Sequence, residues 1–172
     1  MFTKVKSRAS VALLLAMAIV LPLSHLEIEA SDDSWLLKVD GRPVDVAGHL
    51  SDRYTALTRD CAPVRAVQAS DHAHADALSA IQQYSPPDSL SAQLVSLTRQ
   101  DQWLLAQVRF HDLQDAVVLL QTTAYGPVIA QGGVWSGATH PHRPDPIIRR
   151  YLQNRVPAVP ANLLACLATP SP

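Results

Sequence analysis

Glutamate is absent after Glu29, and after Arg8 the chain holds a single lysine, Lys38. Arginine and aspartate carry nearly all the charge, which with many alanines resembles a GC-rich bacterial coding bias. There is no basic run, and a near-neutral chain without one offers no electrostatic footprint for nucleic acid. Cysteine is scarce too: Cys61 and Cys166 only, with no C-x-x-C, which excludes a vicinal redox pair and the usual zinc spacings. Neither a G-x-S-x-G elbow nor an H-E-x-x-H helix is present. The chain has no internal repeat, and beyond Leu23 no apolar run long enough to span a bilayer.

What is there begins with an address. Lys4, Lys6 and Arg8 precede the short apolar run 9–23, and Ile28-Glu29-Ala30 ends on a small residue. This pattern predicts a secretory signal peptide over residues 1–30 and a periplasmic or secreted mature chain, with no membrane span after cleavage. No cysteine follows the apolar run, so no lipoprotein anchor is expected. Residues 31–172 then carry 11 basic and 13 acidic residues, net −2, and have a length that suits one domain. An even cysteine count in an exported chain predicts a Cys61–Cys166 disulfide. A loop of about 106 residues closed this way stabilises by on the order of 4–5 kcal/mol on chain-entropy grounds, an upper figure because native strain subtracts from it.

The rest is organised around residues 90–137. Four apolar, partly β-branched runs alternate with short polar links at 99–102, 111–114 and 123–126, which predicts an antiparallel meander. The third run is apolar on both faces and so is expected at the centre of its sheet. Gly132-Gly133 predicts a bulge or a close backbone approach in the fourth. Asp40-Gly41 predicts a hairpin turn, with Pro43 putting the second arm at an edge. Helices are expected over 47–60, burying Leu50, Tyr54, Leu57 and Cys61, and over 71–84, capped by Ser70 and burying Ala77, Leu78, Ile81 and Tyr84. A third is expected to open at Asp145-Pro146 with Asp145 as its cap, and a short last one to hold Leu163, Leu164 and Leu167. The fold class is therefore α+β: a four- to five-stranded antiparallel meander sheet packed with helices, with one disulfide.

Three constellations bear on function. His72 with His74, and His140 with His142, are H-x-H pairs of the kind that supply part of a zinc or copper site. Ser136, His140 and Asp145 gather nucleophile, base and acid in one loop, although a triad is defined by geometry and not by closeness in sequence. Trp103 and Leu105 lie on the second face of the sheet. That face is either covered by the N-terminal hairpin and first helix or open to a partner, with Trp103 and Trp135 as contacts. Within the proline-rich loop 139–145, His140, His142, Arg143 and Asp145 offer donors and acceptors at low entropic cost, which marks it as a contact surface. The expected function is an exported, non-enzymatic binding module, such as an inhibitor or immunity-type protein acting on another exported protein. The alternatives are a periplasmic zinc- or copper-binding protein working through the H-x-H pairs, and a small hydrolase.

Overall fold

Two antiparallel sheets and four helices make up residues 25–30 and 35–169, the part of the chain described by this computed structural model. The small sheet is β1 (Leu26–Ala30), β2 (Trp35–Val39) and β3 (Arg42–Val44), in that order. Asp40 and Gly41 make the predicted turn, with φ of 52° and 75°. Pro43 lies on the outer strand β3, where its missing N–H faces no neighbour. Helix α1 (Val46–Thr58) follows, then β4 (Arg65–Ala66), helix α2 (His72–Gln82) and a 3-10 turn at Asp88–Ser91. The large sheet adds β5 (Gln93–Gln100), β6 (Trp103–Arg109), β7 (Ala116–Thr123) and β8 (Gly126–Ser136), in the order β4-β5-β6-β7-β8. Helices α3 (Pro144–Arg155) and α4 (Ala161–Ala165) complete the order.

The large sheet is the middle layer. On one face Leu104, Ala106, Val118 and Leu120 pack with Ala77 and Ile81 of α2. On the other, Trp103, Leu105, Val117 and Leu119 pack with Ile148 and Leu152 of α3 and with Leu163 and Leu164 of α4. Each buried Leu or Ile contributes about 1.5–3 kcal/mol, so the two apolar faces of β7 account for its internal place. The second face is thus covered by the C-terminal helices, not by the N-terminal hairpin and α1. Trp103, 5% exposed, is a core residue and presents no contact surface.

Helix α1 is turned over relative to the sequence expectation. Leu50, Tyr54 and Leu57 are 64%, 70% and 86% exposed, while the better-covered residues are Gly48, Asp52 and Thr55. The reason lies in its partner: the surface it meets on α3 is cationic, so the polar face of α1 turns inward. Two helix starts also differ. Asp71, not Ser70, caps α2, accepting the Ala73 N–H at 3.0 Å, and Tyr84 lies beyond that helix, exposed. Helix α3 starts at Pro144 with Arg143 as its cap, so Asp145 lies in the first turn, where its carboxylate accepts from Thr169.

Cys61 and Cys166 form the expected disulfide, Cα–Cα 5.9 Å, tying the chain just beyond α1 to the end of α4. In β8 the pairing jumps from Val118↔Val134 to Leu120↔Ile129, so residues 130–133 stand opposite Leu119 alone. Gly132 has φ +74°, and a Cβ on Gly133 would stand 3.0 Å from the Leu119 Cβ, so this is both a bulge and a close approach. Of the predicted leader, residues 1–24 lie outside the described residues; residues 26–30 form β1, all of them exposed.

Candidate functional site

The loop between β8 and α3 is held from behind by two carboxylates of the N-terminal half. Asp45 ends the small sheet and caps α1: its Oδ1 accepts the Gly48 N–H at 2.7 Å. Its Oδ2 accepts the backbone N–H of Arg143 at 2.8 Å, and the His142 Nδ1 stands 3.8 Å away. The side chains of Asp45 and His142 are both buried. Glycine at 48 makes room for this, since a Cβ there would collide with the Asp45 carboxylate.

Two turns beyond Asp45 on α1, Asp52 receives two arginines, Arg143 at the cap of α3 and Arg149 within it. Arg143 Nε donates to Oδ2 at 2.5 Å, and Arg149 Nη2 donates to Oδ1 at 3.0 Å. The Arg143 guanidinium is held above the ordinary arginine value, foremost by its hydrogen bond to Asp52. Partial burial opposes this, and the charges of Asp52, Asp145 and Asp45 reinforce it. At the front of the loop, Asp145 Oδ1 accepts from the Thr169 N–H at 3.2 Å and from the Thr169 hydroxyl.

These anchors frame two adjoining hollows. One, of about 370 Å³, is walled by the loop itself, with His140, His142, Arg143 and Asp145 among its lining. The other, of about 190 Å³, reaches under the loop toward Val95, Arg109, Trp135 and Ile148. Thr139, Pro144 and Thr169 belong to both walls. The structure therefore brings His140, His142, Arg143, Asp145 and Trp135 to one place and leaves Trp103 in the core. Their roles differ from a set of free donors: Arg143 and Asp145 are already paired, and His142 is seated beside Asp45, which leaves His140 as the exposed member.

His72 and His74 open α2, on the opposite face of the large sheet from α3, so the two H-x-H pairs are not brought together. Among the described residues no three His, Cys, Asp or Glu side chains converge as a metal ion requires. Ser136 ends β8, exposed, and the partner of Asp145 is Thr169. Sequence reasoning missed Asp45, Asp52 and Thr169. An Asp three residues before Gly48 at a helix start was a readable cap; the pairings 91 and 98 residues away carried no local signal. Compared with protein families, with curated proteins and with solved structures, the chain matches none.

Proposed function

We propose that this protein is a non-enzymatic binding module, exported to the periplasm or secreted, that engages another exported protein at the double hollow before α3, in the manner of an inhibitor or immunity-type protein. One observation carries the reading: the loop lining the hollow is anchored at Asp45, Asp52 and Thr169, yet keeps an open, mixed polar and apolar wall. A contact surface fixed in advance loses little conformational entropy on docking. The paired charges set the shape of the wall, and His140 and Trp135 provide a polar and an aromatic contact.

The test is site-specific photo-crosslinking in the secreting cell. A photoreactive residue at position 140 should give one discrete protein adduct, and the same residue at the fully exposed Tyr125, in the β7–β8 turn, should not. Identical adducts from both positions, or none from 140, would remove the loop from the interface. Turnover of a hydrolase panel by the purified protein, lost in His140→Ala, would replace the binding reading with the enzymatic one.

A further inference from the structure

We propose that the outer edge of β2 is a strand-acceptor site, opened when the leader is removed and filled by an extended segment of the exported partner protein. The inference rests on the export reading above and deepens it. Strand β1 lies wholly within the segment expected to be cleaved after Ala30, and the mature chain would start four residues before Trp35. Before cleavage β1 pairs antiparallel with β2 over its full length and without a register shift. The Asp40 N–H donates to the His25 carbonyl at 3.1 Å, and antiparallel alternation then turns the main-chain groups of Lys38 and Leu36 toward β1 as well. Cleavage exposes that row. It empties no core, since none of the five β1 residues is buried.

The displaced strand shows what the edge accepts. Leu26 and Ile28 stand beside Val39 and Leu37 on one face, which continues to Trp35, 67% exposed. Glu27 lies opposite Lys38 on the other face, and the Glu29 carboxylate reaches the Lys38 Nζ at 3.0 Å. Lys38 is the single lysine of residues 31–172 and would lose both acidic neighbours on cleavage. The occupant is therefore a protein segment, running antiparallel to β2, in which apolar residues alternate with acidic ones. Main-chain bonds supply its affinity and the two faces its selectivity. The other side of the small sheet is poorly suited to the same use, because β3 is three residues long and carries Pro43.

The experiment uses the mature chain recovered after secretion of the full precursor, with a synthetic peptide of residues 24–30 as the probe strand. Addition of the peptide should slow amide exchange at Leu36, Lys38 and Asp40 by about tenfold or more. A peptide with Glu27→Lys and Glu29→Lys should bind about threefold or more weakly, and Lys38→Glu in the protein should reverse that preference. Unchanged exchange at these amides, or equal binding of both peptides, would overturn the site. Recruitment of the apolar face to phosphatidylglycerol vesicles without peptide binding would assign the face to a membrane instead and overturn it too. A mature chain that starts before Leu26, or one that no longer unfolds cooperatively without residues 25–30, would make β1 part of the fold and end the inference while leaving the His140 loop untouched. Peptide binding with no crosslink from position 140 would keep the acceptor edge and discard the loop.

Discussion

Asp45 and Arg143 are joined across 98 positions of sequence: the carboxylate that caps α1 also accepts, at 2.8 Å, the backbone N–H of the residue that caps α3. Arg143 makes no side-chain cap of its own. One buried carboxylate thus fixes the start of two helices and the back wall of the loop between β8 and α3.

Asp45→Ala should cost about 2–3 kcal/mol, the sum of a lost cap and an abandoned buried N–H. Asp45→Asn keeps an acceptor for one of the two donors and should cost about half as much. Urea denaturation of the two variants checks the ratio; equal losses would show that charge, not hydrogen bonding, is what Asp45 supplies.

Asp52→Ala should destabilise more than Arg143→Ala, by about 1 kcal/mol, because it strands the poorly exposed Arg149 as well, whereas Arg143 is partly solvated. The raised Arg143 value gives a sign for pH. A base whose folded value is raised contributes stability that is present below the unfolded value and lost as pH rises through the folded one. Both lie at the alkaline end, so the stability difference between the parent and Arg143→Ala should not change, on account of that shift, from about pH 5 to about pH 9. Denaturation midpoints across that range measure it.

Gly133→Ala should cost about 1–3 kcal/mol, since the new methyl meets the Leu119 Cβ and the Ala130 carbonyl, both at 3.0 Å. Gly132→Ala should cost about 1–2 kcal/mol, for its φ of +74° and because the new methyl would stand 3.3 Å from the Arg155 Cβ. Thermal melts of the two single variants check both values.

Leu57→Gln should change stability by no more than about 0.5 kcal/mol, as expected for an exposed side chain. The buried placement expected from periodicity would give about 2 kcal/mol or more. A single equilibrium unfolding curve decides between them.

Replacing Cys61 and Cys166 together by serine should lower stability by about 2–4 kcal/mol, because the bond closes a loop spanning 105 positions. Guanidinium unfolding of the variant and of the reduced parent should agree.

The meander, its links, the Asp40-Gly41 turn, the disulfide and the Gly132-Gly133 bulge were legible because each has a local signature: alternation, turn chemistry, an even thiol count. The orientation of α1 was not. Its stripe of Leu50, Tyr54 and Leu57 obeys the helical period, but period alone does not say which face meets protein. Here Asp52 decided it by finding Arg143 and Arg149 some 91 and 97 residues away. The cover of the sheet's second face failed for the same reason: several elements were apolar enough, and only tertiary arrangement chose α3 and α4. At the site, the loop residues were found from composition, but their role as paired struts was not, because their partners Asp45, Asp52 and Thr169 are distant in sequence.

The bulge in β8 has a consequence for self-association. As the last strand of the large sheet, β8 is one of its two free margins, and four residues bunched opposite Leu119 break the regular ladder a neighbouring copy would need to zip onto. The opposite margin, β4, is only two residues long. The β8 margin therefore offers a neighbouring copy no continuous ladder along which to extend this sheet.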